Sequence, residues 1–380
     1  MTARLRTTRI RSAFRACAAF LACAAFTASA HAAPLIASEV LQQFNLVVFG
    51  DAKSSSHVDG RTYIGGNVTG GDYVLHANDM PASEYAGLVV GGNASNLNVN
   101  GGGISVGGNL SNANINKGSA YVAGNASSVN FNGGTAYVGG TTSGSNFNGG
   151  RSYTAATQQS TATIESTMRD LALQLAGLSS TGSTVSINGN KATFNAVADA
   201  NGLAVFDLTS IDTALFKLGE FEFNLGGADT VIFNVDDLVI SIFANFLGGS
   251  AQAIGANVIW NFYNATDITL YSQFGGSVLA PNAALTNYNN IEGSVVVSSI
   301  DQRGEIHLQP FSGTLPTTTT DEPPTTTPPT TTPPTTIPPT TSLPPENHVP
   351  EPGSLALMLA ALLAMAPLSR QRKAAAARKR

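Results

Sequence analysis

The sequence predicts a mostly β protein, a β-solenoid (β-helix) whose coils take about sixteen to seventeen residues each, with one flanking amphipathic α-helix at about positions 161–178. Three observations predict it. First, Asn98-Val-Asn-Gly-Gly returns as Asn114-Ile-Asn-Lys-Gly, Asn130-Phe-Asn-Gly-Gly and Asn146-Phe-Asn-Gly-Gly, always at the same step along the chain. Self-similarity at a short fixed period means stacked units that each touch their neighbours. Second, apolar residues return in register, which a flexible low-complexity linker would not require. Third, Gly102, Gly118, Gly134 and Gly150 form a column of their own, as expected at a corner where a positive φ is needed.

Each column has a physical task. Val99, Ile115, Phe131 and Phe147 form one stacked interior, and Val106, Val122 and Val138 form another. Strand side chains alternate, so an inward Val99 sends Asn98 and Asn100 outward. Two asparagine ladders follow, Asn98, Asn114, Asn130, Asn146 and Asn100, Asn116, Asn132, Asn148, with rungs about 4.8 Å apart. Ser105, Tyr121, Tyr137 and Tyr153 make a companion column on what is expected to be the same flat face.

The helix is read from Ile164, Met168, Leu171, Leu175 and Leu178, whose spacing gives a single apolar stripe; it is expected to pack on the domain. Longer strands follow at 230–235, 257–266 and 267–271. Val258, Trp260 and Phe262 share one face there, and Trp260 reads as core in preference to a sugar platform. Gly276-Ser-Val-Leu-Ala-Pro and Gly293-Ser-Val-Val-Val-Ser are separated by a step close to the earlier period, so the solenoid is expected to resume.

The ends of the chain carry addresses. Residues 1–32 combine five arginines, an apolar run from Ala16 to Phe26 and small residues near Ala30, as a secretory signal peptide does. Cys17 and Cys23, the two cysteines, lie inside it, so the mature form is expected to hold neither a disulfide nor a cysteine-ligated metal. Residues 315–347 are mostly Pro and Thr, an extended stalk at ~3.1 Å per residue. Residues 348–380 contain Val349-Pro350-Glu351-Pro352, a short apolar transmembrane-type segment and a basic tail. This resembles the PEP-CTERM sorting signal of Gram-negative bacteria, which implies recognition by an exosortase-type enzyme, removal of the tail, and delivery to the cell surface or extracellular matrix. Of the 19 Lys and Arg, eight remain between the two signals, against 23 of 24 acids, so the net charge there is near −15. That excludes nucleic acid as a partner, and leaves membrane contact to the removable tail.

The body, residues 33–314, carries a second resemblance. Phe44-Asn-Leu-Val-Val-Phe-Gly-Asp51, Val58-Asp-Gly-Arg-Thr-Tyr-Ile-Gly-Gly-Asn67, Leu88-Val-Val-Gly-Gly-Asn93, Gly276-Ser-Val-Leu-Ala-Pro-Asn282 and Ile291-Glu-Gly-Ser-Val-Val296 are similar to the choice-of-anchor A domain, over nearly all of Val40 to Leu308. The resemblance implies a secreted adhesive β-helix, similar to ice-binding-type solenoids, without agreed catalytic residues.

No catalytic centre, cofactor or metal is expected. Between Glu84 and Glu165 there is no Asp or Glu, so the regular coils cannot supply a glycosidase acid pair. Gly103-Ile-Ser-Val-Gly107 matches a serine-hydrolase pattern, but Ser105 occupies a repeat slot. Asp236-Asp237 reads as a solvated turn before calcium, and Asp59 as pairing with Arg61. His57, His76 and His307 are dispersed in sequence, although folding could unite any two, and each reads as an ordinary surface or satisfied histidine. The expected function is adhesion, biofilm-associated and directed at neutral exopolysaccharide or a surface, with Asn98, Asn100, Asn114, Asn116, Asn130, Asn132, Asn146, Asn148, Tyr121 and Tyr137 as the binding face. Ice or lattice binding is the alternative, and a polysaccharide-cleaving β-helix ranks last.

Overall fold

The computed structural model describes residues 34–152 and 160–316. The leader, the Pro/Thr stalk beyond Pro316, the sorting signal and Tyr153 lie outside the described residues. Parallel ladders run through the body and make a mostly β solenoid with a few short helices. Among the described residues, no helix is long and apolar enough to cross a membrane.

The narrow coils keep the predicted register. Leu110–Ile115 lies between Ala94–Val99 and Ala126–Phe131, which places Val99, Ile115 and Phe131 in one buried column. Phe147 continues it half-buried, stacked on Phe131 at 5.0 Å. Ala120–Val122 lies in the same way between Ile104–Val106 and Ala136–Val138. A bend at Asn96, Asn112 and Ser128, with φ of 58°, 49° and 56°, divides each long strand and makes the coil three-sided. Short polar side chains tolerate this left-handed backbone at low cost.

Two details depart from expectation. Gly102, Gly118 and Gly150 have positive φ, but Gly134 does not; its constraint is close approach, because a Cβ there would meet Ser119 Oγ at 2.9 Å. The last coil is one residue shorter, so Ser152 and not Tyr153 aligns with Tyr137.

The wide coils are filled by aromatics. Leu203–Asp207, Thr230–Val235, Val258–Phe262 and the long strand Ser277–Asn287 form successive rungs. The strands expected at 257–266 and 267–271 are realised as Val258–Phe262 and Asp267–Leu270. Trp260 is fully buried against Phe233 at 4.2 Å, and its Nε1 donates to the Gly275 carbonyl at 2.9 Å. A small sheet of Thr184–Asn188, Lys191–Asn195, Glu220–Asn224 and Asn245–Phe246 closes the third side and contributes Phe194 and Phe221 to the core. The coil repeat resumes as expected, with Val278 opposite Val295.

The helix is Ile164–Ala176, and its stripe Ile164, Met168, Leu171 and Leu175 is buried. It lies on the outer surface of the wall, against Val205, Ile232, Ile259, Leu279, Val296 and Val47. Asn234 and Asn261, buried on that wall, donate to the Leu175 and Ala172 carbonyls at 2.7 and 2.9 Å. Both carbonyls lie in the C-terminal part of the helix, which these bonds tie to the wall.

One feature of the topology places the candidate sites. Leu46–Val48 is inserted between Val295–Val297 and Thr62–Ile64, parallel to both. The first coil of the chain therefore joins the last, and a non-covalent seam crosses the middle of the solenoid.

Candidate functional site

The outer walls carry continuous columns. The two asparagine ladders form as expected: Nδ2 of Asn114, Asn130 and Asn146 donates to Oδ1 one coil back at 2.8, 2.8 and 2.7 Å. Asn116, Asn132 and Asn148 repeat this at 2.9, 3.2 and 2.9 Å. A third ladder, missed in the sequence, starts at Asp51 and climbs through Asn67, Asn93, Asn109 and Asn125 to Thr141. Its oxygens accept the backbone N–H of the next coil at 2.7–2.9 Å. Its signal was the returning Gly-Gly-Asn. In all three ladders much of the amide capacity is engaged between coils.

The tyrosines do not share that face. Tyr121 and Tyr137 lie in the ladder of Ile104–Val106, Ala120–Val122 and Ala136–Val138, across the Gly118 corner from Asn114 and Asn130. Alternation within a strand does not carry round a corner, and that is why the single flat Asn and Tyr face is divided into two walls. The tyrosine column continues through Ser105, Val89, Tyr63 and Val47 to the surface under the helix. Ser105 is a buried repeat slot in mid-strand.

The third wall was unforeseen. Ser241, Thr269, Thr286, Asp301, Lys53, Thr69, Ser95, Ser111, Ser127 and Ser143 stand one above the next through successive parallel pairings. All are exposed or half-exposed. Beside them runs an aromatic column. Phe243 stacks on Tyr271 at 4.2 Å, Tyr271 on Tyr288 at 5.2 Å, and the Arg303 guanidinium covers Tyr288 at 4.8 Å. Phe243, Tyr271 and Tyr288 are 55%, 42% and 46% exposed, so the stack is open to a ligand. The sequence signal was Ser241-Ile-Phe243, Thr269-Leu-Tyr271 and Thr286-Asn-Tyr288, whose first step is much longer than the second, so that no single period reveals them.

The histidines are not dispersed in space. Val58 pairs with Ile306, both buried, so His57 and Asp59 emerge beside Glu305 and His307. His307 Nδ1 meets Glu292 at 2.8 Å, and its Nε2 meets Glu305 at 2.8 Å. His57 Nε2 lies 3.6 Å from both Asp59 and Glu305, and His76 Nδ1 lies 3.5 Å from Asp59. Burial opposes charge on His307, but the bonds to Glu305 and Glu292 prevail and raise its pKa. The bond to His307 holds Glu305 below the usual carboxylate range. Asp59 does not pair with Arg61. Arg61 is buried, its pKa lowered to about 10 by that burial, and it donates to the carbonyls of Gln43, Pro81 and Tyr85. Asp236 is raised by burial and then by its neighbour Asp212, while Asp237 accepts from the Thr213 hydroxyl at 2.9 Å.

A parallel solenoid with ruled polar and aromatic walls defines a repeat-surface binding module. The family follows: a model described as "Putative Ice-binding-like adhesive domain" matches residues 37–308, and the chain belongs to that family. Membership places it with adhesins and surface-binding domains. No curated protein matches it, and no solved structure matches it.

Proposed function

We propose that the chain is an exported adhesin that binds neutral polysaccharide through the aromatic and hydroxyl wall. The observation that supports this reading best is the exposed stack Phe243, Tyr271 and Tyr288 beside Ser241, Thr269 and Thr286. Ring faces cover sugar rings and hydroxyls bond to theirs, without a charge that a neutral ligand would leave unpaired. The asparagine ladders and Tyr121/Tyr137 serve as secondary surfaces in this reading, because the amides are already engaged along the coils. Many weak contacts on many copies would add up through avidity. The reading is of binding without catalysis, and release of new reducing ends from matrix polysaccharide would overturn that part.

A glycan array probed with the full chain tests it. Tyr271→Ala combined with Tyr288→Ala is expected to weaken binding at least about tenfold, as loss of buried aromatic anchors does. Changing Asn98, Asn114, Asn130 and Asn146 to Ala together should leave most binding in place. The opposite ranking would make the ladder the site.

The long hydroxyl column favours a second reading, ice or lattice binding, since rungs repeat at about the 4.8 Å strand spacing. Thermal hysteresis in place of glycan binding would select it. Delivery to the surface rests on the choice-of-anchor A resemblance and on the PEP-CTERM element at Val349-Pro350-Glu351-Pro352 with its exosortase. Mass spectrometry of the surface-held form should find the tail removed; a surface form that keeps Arg380 would sink the sorting proposal.

A further inference from the structure

The two asparagine columns do not end with asparagine. Followed toward the seam, the column of Asn98 passes to Asp72 and then His57, which stands next to Glu305. The column of Asn100 is interrupted by the buried Val74, beyond which the register aligns Asp59, His307 and Glu292. The slots that hold Asn-x-Asn in the narrow coils thus hold His57-Val-Asp59 and Glu305-Ile-His307 at the seam. The asparagine ladders are uncharged; this patch gathers carboxylates and imidazoles.

We infer that His57, His307 and Glu305 form a three-ligand binding site for a divalent transition-metal cation of the zinc class, clamping the first coil to the last, with Asp59 beside His57. Imidazole nitrogen and carboxylate oxygen are the donors such an ion takes. Nε2 or Nδ1 of the histidines and the Glu305 oxygen lie within 4.8 Å of one another. Bonds of ~2.0–2.2 Å in a tetrahedron require ligand atoms roughly 3.4 Å apart; the observed separations of 2.8 Å between Glu305 and His307 and 3.6 Å between His57 and Glu305 bracket that value.

The surroundings are those of a metal site. Glu292 is buried and fixed by Gln273 and Gln309, whose amides donate to it at 2.7 and 3.0 Å. Its oxygen lies 2.8 Å from His307 Nδ1; with a proton on Nδ1, a metal ion would take the Nε2 lone pair in place of the contact with Glu305. A carboxylate behind a ligand histidine is how metal sites set tautomer and ring orientation. The charge balance agrees: Asp59, Glu292 and Glu305 converge here, and among the described residues none of them forms an ion pair with Lys or Arg. His57 and His307 are 28% and 26% exposed, which leaves an entry path from solvent.

The test uses the full chain stripped with a chelator. Calorimetry should show one equivalent of Zn²⁺ binding, Co²⁺ should bind with a visible ligand-field spectrum, and Ca²⁺ or Mg²⁺ should not compete. His57→Ala and His307→Ala should each weaken Zn²⁺ at least about 100-fold, and Glu292→Gln about 10–100-fold. Zn²⁺ should also raise the thermal midpoint of the natural chain and not of these variants. If the alanine variants do not fold by circular dichroism, the near-isosteric Glu305→Gln carries the same expectation. Absence of stoichiometric Zn²⁺, Zn²⁺ binding unchanged in folded variants, or Ca²⁺ bound as tightly would each overturn the assignment.

Discussion

The narrow coils from Leu88 to Ser152 and the wide coils from Leu203 to Gln302 solve one problem in two ways. In the narrow coils the cross-section is small, so Ala, Val, Leu and single phenylalanines fill it. The exposed corners there are tied by amides, coil to coil. In the wide coils the cross-section needs Trp260 and a ring of phenylalanines, and one outer wall needs a helix to cover it. Regularity and exposure of aromatic side chains are therefore separable properties of one solenoid. Where side-chain polar groups bond to their own copies, little is left for a partner; where the repeat is irregular, Phe243, Tyr271 and Tyr288 stay exposed.

Stability measurements by urea unfolding put this contrast at risk. Trp260→Ala should cost the most, about 3–5 kcal/mol, because the indole is fully enclosed by other rings. A loss below about 1 kcal/mol would mean that the wide coils do not depend on the aromatic fill. Ile115→Ala, in the middle of the narrow stack, should cost about 2–4 kcal/mol. Asn109→Ala removes an oxygen that accepts the Asn125 N–H at 2.8 Å and an amide bonded to Asn93, and since water replaces part of this, about 1 kcal/mol is expected. Tyr271→Ala should cost least, about 0.5 kcal/mol or below for a surface ring. A larger loss there would show the aromatic column to be structural, and would remove the contrast between a self-satisfied and a displaying region.

Much of the narrow region could be read in advance because its information is local. Val99, Ile115 and Phe131 recur at one period, and one period is enough to stack them. The amphipathic stripe located the helix for the same reason, although it could not say that the helix would sit outside the wall. Tyr121 and Tyr137 stand apart from the asparagines because the chain turns onto another wall at Lys117-Gly118-Ser119, a change of direction that a column alignment does not register. The hydroxyl and aromatic wall was hidden because Ser241, Thr269, Thr286 and Asp301 are unequally spaced along the chain, each step shorter than the one before. The His57 and His307 cluster was hidden by distance along the chain, since its halves are brought together by a pairing, Val58 with Ile306, that leaves no trace in local sequence.

The insertion of Leu46–Val48 between Val295–Val297 and Thr62–Ile64 also fixes an order of events. As the chain is made from its N-terminus, one edge of this strand finds Thr62–Ile64 early, while the other must wait until nearly the whole body has been synthesised. Until Val295–Val297 arrives, unpaired N–H and C=O groups stand open as a template for any other strand. Completion is slow by nature, since contacts so far apart must be found before they stabilise anything. Truncated or prematurely released chains of this protein should therefore join to one another at that edge.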